Sequence, residues 1–131
     1  MGYFSKYPGI ALDGSAAAGD ASFLGLPELS LSLDVDDGHV LVVGCSHSGV
    51  ESIVRQSRAE RGSDVALLVG GYHLLPYERP TLKAIAARLS GELGVKEVAP
   101  SHCTGHAGFV ALMEAFGKRY NFFGLGSKIK G

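Results

Sequence analysis

The chain has 131 residues, 46% of them hydrophobic and 19% charged, with a formal net charge of -1, which is typical of one globular domain with a modest core. No basic patch points to nucleic acid, no apolar stretch approaches the roughly 20 residues of a membrane span, and the N-terminus lacks a signal-peptide pattern. Two cysteines are too few for a disulfide framework, which favours a reducing, cytoplasmic setting.

The first part of the chain divides into a leader and a hairpin. Residues 1–28 keep no helical or strand period, and we expect a leader or lid there, with the domain over residues 29–131. Residues 29–35 alternate leucine or valine with serine or aspartate, which predicts a strand that buries its apolar face. The turn residues Asp36, Asp37 and Gly38 then lead into residues 39–43, an apolar run typical of a strand covered on both faces. We therefore expect an antiparallel hairpin.

Helices and buried strands alternate through the rest of the domain. Further strands are predicted over residues 65–69 and 95–99, and a final strand or extended tail over residues 122–129. Helices are predicted over residues 48–62, 79–94 and 106–116. Ser48 and Glu51 have the spacing of a capping box. The predicted core stripes are Leu82, Ile85, Ala86, Leu89 and Leu93 on the second helix, and Phe109, Val110, Met113 and Phe116 on the third. The order is β-β-α-β-α-β-α-β, an open α/β layer.

Three predicted parallel strands each end in a histidine before a helix begins. VLVVGCSHSGV contains Cys45 and His47, VGGYH ends at His73, and PSHC contains His102. The carboxyl ends of parallel strands lie side by side, at the edge of a sheet where ligands bind. Because neutral imidazole is the commonest nitrogen ligand, these histidines predict a shared metal site. The alternative is that each histidine caps a helix or hydrogen-bonds a loop.

The two cysteines lie beside these histidines. A thiolate near a cation or a helix N-terminus is a good metal ligand or nucleophile, which are the two roles considered for Cys45, although a free cysteine is also commonly a small buried hydrophobe. Cys103 is expected to be structural, and the two thiols would form a disulfide under oxidation if they lie close enough. Hydroxyls near the same edge are expected to cap helices; they belong to Ser46, Ser101 and Thr104.

These motifs resemble the C-terminal half of metallo-β-lactamase-fold hydrolases, in the branch of dihydropterin ribofuranosyl-aminobenzene phosphate synthase-like proteins. The segments that carry the resemblance are VVGCSHSGVESIV, VGGYHLL and PSHCTGHAGFVALMEAFGKRYNFFGLGSKI, and it extends over residues 29–130. It implies one half of an αββα sandwich with a zinc-type site at the sheet edge. There a metal-bound hydroxide would attack an ester, an amide or a phosphoester. By position, Cys45 or His47 would be a late metal ligand, His102 the last metal histidine and His73 a pocket residue.

One part of the family pattern is absent. The His-x-His-x-Asp-His signature, which belongs to the N-terminal half of these hydrolases, occurs nowhere in this chain. The chain therefore resembles a truncated form that contains one half of the fold. The sheet face that the other half normally covers would be apolar and exposed, so we expect a homodimer through that face.

Two functions follow as predictions. The first is a truncated hydrolase of phosphoesters or esters. In its metal form, His47, His102 and Cys45 hold zinc, iron or manganese, and His73 orients or protonates a small-molecule substrate. In its metal-free form, Cys45 is the nucleophile and a nearby histidine is the base. The second function is a non-catalytic half-domain, an interaction or structural module that requires a partner half. Neither function involves nucleic acid or a membrane.

Overall fold

The computed structural model describes residues 28–130 and the backbone of residues 2–7. Five strands form one sheet in the order β1-β2-β3-β4-β5. They are β1 (Gly2–Tyr7), β2 (Glu28–Val35), β3 (Gly38–Val43), β4 (Val65–Gly71) and β5 (Glu97–Ser101). The helices are α1 (Val50–Arg61), α2 (Arg79–Ser90) and α3 (His106–Phe116), with short 3₁₀ turns at His102–Thr104 and Gly117–Arg119. The α/β class that the sequence predicts is therefore confirmed.

The sheet is mixed. β2 pairs antiparallel with β1 and β3, whereas β3, β4 and β5 are parallel to one another. The predicted hairpin is β2–β3, and Gly38 follows its turn with a φ of 132°. A Cβ at Gly38 would lie 2.2 Å from the Asp64 carbonyl oxygen, so only glycine fits there. β1 lies inside the predicted leader, whereas residues 8–27 of the leader are outside the described residues.

All three helices pack on one face of the sheet. Alternate side chains of β3 and β4, such as Leu41 and Leu68, are fully buried against them in a single cluster. Four residues of the core stripe predicted for α2 are confirmed as buried, and the fifth, Leu93, is buried beyond the end of the helix at Ser90, which is earlier than predicted. No helix of residues 28–130 is long and apolar enough to cross a membrane.

The bounds predicted for α3 are confirmed, but most of its predicted buried face is wrong. Phe116 is buried as expected, whereas Val110 is 42% exposed, and the small residues Gly108 and Ala111 face the core instead. The reason is a close approach: a Cβ on Gly108 would lie 3.1 Å from the Leu74 Cβ. Since a larger side chain would not fit, the helix presents its small residues at this contact.

The capping box predicted at the start of α1 is wrong. The helix begins at Val50, with Gly49 as its N-cap and no side-chain cap. Glu51 instead accepts a 2.6 Å hydrogen bond from Arg88 of α2. The pair ties the two helices together and so takes Glu51 away from the helix terminus.

β2 buries the opposite face from the one its sequence predicts. Ser30 and Ser32 are buried, while Leu29 is 66% exposed and Leu33 39% exposed. The helix side of β2 is polar: its Ser32 meets a polar residue of α1, and the Ser32 Oγ lies 3.3 Å from the Ser57 Oγ. The leucines therefore lie on the face that no described helix covers.

The final strand predicted for the end of the chain does not form, because residues 121–130 contain no strand or helix. They run as a tail with a turn, in which the Ser127 N–H donates to the Gly124 carbonyl at 3.0 Å. Tyr120 forms an isolated parallel bridge with Val98, and the Asn121 N–H donates to the Val98 carbonyl at 2.8 Å. Beyond this anchor Phe122 and Leu125 are exposed.

Candidate functional site

The carboxyl ends of β3, β4 and β5 meet at one edge of the sheet. Val43 pairs with Gly70 and Gly71 pairs with Ser101, so the turns that follow these strands are adjacent. The Gly71 N–H donates to the Gly44 carbonyl at 2.8 Å. A Cβ on Gly71 would lie 2.7 Å from that oxygen and 2.8 Å from the Cys103 Sγ. Glycine therefore permits the turns to pack this closely.

Cys45 and His102 form a pair at this edge. The Cys45 Sγ lies 3.4 Å from the His102 Nε2, within hydrogen-bond distance for sulfur. Cys45 is half-buried at the end of β3 and His102 is exposed after β5, 57 residues later in the chain. The pair thus joins two of the predicted strand-end motifs and opens to solvent.

His47 and His73 form a second pair, which Glu28 supports. Their rings meet edge to face with centroids 4.7 Å apart. The His47 Nδ1 lies 3.1 Å from the Glu28 Oε1. Glu28 also accepts hydrogen bonds from the backbone N–H groups of His47 and Ser48 at 2.6 and 2.7 Å, and from the Ser48 hydroxyl at 2.7 Å. This carboxylate therefore fixes the turn that carries Cys45.

The electrostatics of the edge keep two groups neutral. Burial lowers the pKa of His73, the neighbouring His47 lowers it further, and Glu28 acts in the opposite direction. Burial raises the pKa of the Cys103 thiol, which donates to the Cys45 carbonyl at 3.2 Å. At neutral pH we expect a neutral His73 imidazole and a protonated Cys103.

Three non-glycine residues at this edge have positive φ angles: Ser46 (60°), His73 (49°) and His102 (52°). They are the only such residues in the part of the chain that the structure describes. Each costs roughly 1–3 kcal/mol and persists because its surroundings hold it. The Ser46 hydroxyl donates to the Gly71 carbonyl at 2.6 Å, and the Thr104 hydroxyl donates to the Ser101 carbonyl at 2.8 Å. Strain of this kind concentrates at functional sites.

The sequence-predicted site residues thus lie at one edge, but in two pairs. Within residues 28–130, no group of three His, Cys, Asp or Glu side chains is arranged to hold a metal ion. Sequence reasoning missed Glu28, which falls at the end of the predicted leader. No signal marked it, because its partners lie 19 and 20 residues further along the chain.

The spacing of one pair fits two ligands of a metal ion. Zinc–sulfur and zinc–nitrogen bonds of about 2.3 and 2.0 Å in tetrahedral geometry put the two ligand atoms about 3.5 Å apart. The 3.4 Å between the Cys45 Sγ and the His102 Nε2 is close to that value. The described residues do not complete the centre, because they bring no third donor to this pair.

An open groove of about 600 Å³ adjoins His102. Phe109 of α3 forms one part of its lining, and the rest consists of Ser101, His102, Phe123 and residues 124–127. Most of this surface is apolar. A small molecule that lies in the groove would therefore contact His102, one member of the Cys45–His102 pair.

Comparisons with known proteins support the fold. No family model matches the chain. A curated relative from Methanocaldococcus jannaschii, 7,8-dihydropterin-6-methyl-4-(beta-D-ribofuranosyl)-aminobenzene-5'-phosphate synthase, is 32% identical over 104 residues, which cover 79% of this chain and 35% of the relative. A solved structure, Tm1679, a metal-dependent hydrolase of the beta-lactamase superfamily, aligns with a TM-score of 0.73 and 24% identity over 90% of this chain and 49% of that one.

The chain therefore spans about half the length of the solved relative and about a third of the curated one. The structural likeness shows the fold: the α/β layer matches half of a β-lactamase-superfamily hydrolase. The half-domain that the sequence predicts is confirmed in its architecture.

Proposed function

We propose that the chain hydrolyses esters or phosphoesters of small molecules at the sheet edge, with Cys45 as nucleophile and His102 as base. The observation that carries the proposal is the 3.4 Å contact between the Cys45 Sγ and the His102 Nε2. A nucleophile and a base within hydrogen-bond reach are the minimum that covalent catalysis requires. The pair lies beside an open groove, so a substrate can approach it.

The reaction proceeds in two halves. His102 takes the thiol proton as the Cys45 sulfur attacks the carbonyl carbon or the phosphorus. A sulfur–carbon or sulfur–phosphorus bond forms, the ester bond breaks, and the leaving oxygen takes the proton from His102. In the second half His102 removes a proton from water, the hydroxide displaces the sulfur, and the thiolate recovers the proton.

His47 and His73 are proposed to position the substrate. Glu28 holds His47, whose ring edge in turn contacts His73. A neutral His73 can donate one hydrogen bond and accept another. It would therefore orient a substrate oxygen, which is one of the two roles that the sequence predicts for it.

A metal ion is the second route to the same hydrolysis. The 3.4 Å spacing suits two ligands, and the solved relative is described as metal-dependent. Zinc, iron or manganese at Cys45 and His102 would supply a Lewis acid and an activated water. Because no third donor accompanies this pair among the described residues, the route needs further ligands, such as those of a partner half. His47 remains the predicted third ligand, although in the described structure it faces Glu28.

The substrate class rests on the curated relative, whose name includes a 5'-phosphate. A phosphoester or ester with an apolar body suits the largely apolar groove beside His102. The net charge of -1 gives no reason to expect nucleic acid. The cytoplasmic setting predicted from the two cysteines remains a prediction.

The deciding experiment compares Cys45→Ser with its neighbour Cys103→Ser. Release of p-nitrophenol from p-nitrophenyl phosphate and p-nitrophenyl acetate is measured, and metal content is determined by plasma mass spectrometry. With Cys45 as nucleophile, Cys45→Ser and His102→Gln each lose about 100-fold or more in kcat, and Cys103→Ser retains most of the activity. Metal hydrolysis instead predicts about one metal per chain or per dimer and a modest loss in Cys45→Ser.

Two results contradict the proposal. If Cys45→Ser and His102→Gln both keep full activity, the reaction does not occur at this pair. If the wild-type chain is inactive and binds no metal after incubation with zinc, the non-catalytic half-domain becomes the better interpretation.

A further inference from the structure

We propose that the sheet face that no helix of residues 28–130 covers binds the same face of a second copy of this chain. The open face is defined here as Leu29, Leu31, Leu33, Val40, Val42, Leu67 and Val69. Pairing places these residues side by side across three strands: Leu31 is beside Val42, which is beside Val69, and Leu33 is beside Val40, which is beside Leu67. They form two continuous apolar rows.

The open face is large enough to be an interaction surface. Three strands about 4.8 Å apart and six residues long give a footprint of roughly 300 Å², before β1 and β5 are counted. The largest apolar patch on a soluble monomer is of this order and is often a functional surface. Leu29 at its rim is 66% exposed and Leu33 is 39% exposed.

The pattern of β2 strengthens this argument. The strand turns its serines towards the helices and its leucines away from them. Burying a leucine contributes about 1.5–3 kcal/mol relative to leaving it in water. The strand would thus gain most from a second layer against its leucine face.

The chemistry of the face favours a second copy as that layer. A two-fold axis brings each residue near its own equivalent, so a charged face would repel itself, whereas an apolar face is self-complementary. The seven residues of the open face are all aliphatic, and the charged Glu97 of β5, which pairs with Leu67, lies at the margin, where it accepts a hydrogen bond from Asn121. The two charged residues of β2 are not on this face: Glu28 accepts from the Ser48 hydroxyl, and Asp34 pairs with Arg61 of α1.

The solved relative supplies a second reason. The chain covers 49% of that protein, which therefore has about as much chain again beyond the matched half. A second copy would provide a layer of the same size. Two sheets packed face to face at about 10 Å form a standard sandwich. The inference does not depend on catalysis by Cys45.

Multi-angle light scattering of the chain at about 10–100 μM, a range in which weak complexes form, tests the proposal. The expected mass is twice the 13.7 kDa of one chain. Leu29→Lys places a charge on the open face and is expected to give a monomer. Leu75→Lys is the matched control, since Leu75 is 72% exposed but follows β4 in the chain and is not on this face, and it should remain dimeric.

Circular dichroism establishes that both variants are folded, which is expected because both leucines are exposed. A wild-type chain that stays monomeric throughout the concentration range overturns the proposal. So does a dimer that survives in a Leu29→Lys/Leu33→Lys double variant, because the contact would then lie elsewhere. Larger assemblies without a dimer also contradict a closed two-fold interface.

Discussion

His39 is a fully buried histidine at the end of the sheet away from the candidate site. Its Nε2 lies 2.7 Å from the Ser57 Oγ and its Nδ1 lies 2.9 Å from the Ser63 Oγ. Burial lowers the pKa of His39, as does Arg61, while the carboxylates of Asp34 and Asp64 oppose them. Neutral His39 is therefore the form that the fold accommodates, and the two serines satisfy it.

This predicts that acid destabilises the protein. The unfolded chain takes up a proton at His39 near pH 6.5, before the folded chain does, so the free energy of unfolding falls as the pH drops below that value. One histidine contributes at most about 1.4 kcal/mol per pH unit. Urea unfolding at pH 7.5, 6.5 and 5.5 measures the slope for wild type, His39→Gln and the exposed control His106→Gln.

His39→Gln is expected to be less stable at pH 7.5 but to lose less stability on acidification, and His106→Gln should match wild type. Burial also lowers the pKa of His73, so part of the slope will persist in His39→Gln. If the unfolding free energy of His39→Gln falls with pH as steeply as that of wild type, His39 is not a cause of the acid sensitivity.

Among the elements, β2 is joined to the turn after β3 through Glu28. Its side chain is 14% exposed and accepts three hydrogen bonds from His47 and Ser48. Glu28→Gln removes the charge and turns an N–H₂ group towards these donors. We expect a loss of about 1–3 kcal/mol in unfolding free energy. Glu92→Gln is the control, since Glu92 is 60% exposed, and should change stability by less than about 1 kcal/mol.

The measurement for both variants is the urea midpoint at pH 7.5. Because Glu28 supports the turn that carries Cys45, Glu28→Gln is also expected to reduce any hydrolytic activity. Equal midpoints for the two variants would mean that Glu28 does not hold this turn.

The same elements show which features of the structure local sequence patterns can predict and which they cannot. Hydrophobic periodicity predicted β2–β5 and the three helices. The histidines that follow three of the strands predicted the edge where Cys45, His47, His73 and His102 lie. Which face of β2 is buried could not be predicted, because the answer depends on Ser57 and His39, which lie beyond the strand. Likewise Glu51 has a capping spacing, but Arg88, 37 residues away, determines its partner.

For a related reason, the sequence could not predict which residues of the site contact each other, namely Cys45 with His102 and His47 with His73. Strand order placed the histidines at one edge, but the distances between their side chains depend on turn geometry. The positive φ angles of Ser46, His73 and His102 direct these turns. Ordinary residues rarely adopt that conformation, so nothing in their identity signals it.

At the scale of the whole molecule, the fold has one layer of helices on one face of a sheet. Domains normally bury both faces of a sheet or leave a polar face to water. Here the uncovered face has leucines and valines on β2, β3 and β4, and about half of a larger relative aligns with the chain. Within residues 28–130, this apolar sheet surface has no covering layer, and a layer packed against it would add to the stability of the fold.

This leads to a prediction about unfolding that is separate from the measured mass. If folded chains pair through the open face and unfolded chains do not, mass action makes the unfolding temperature rise with protein concentration. Scanning calorimetry at about 5, 50 and 500 μM should show a rise of several degrees across the series for wild type and Leu75→Lys. Leu29→Lys should unfold at a lower and constant temperature, since its monomer gains nothing from concentration. A wild-type transition that stays constant over this hundredfold range would mean that the open face contributes no stability through association of two copies.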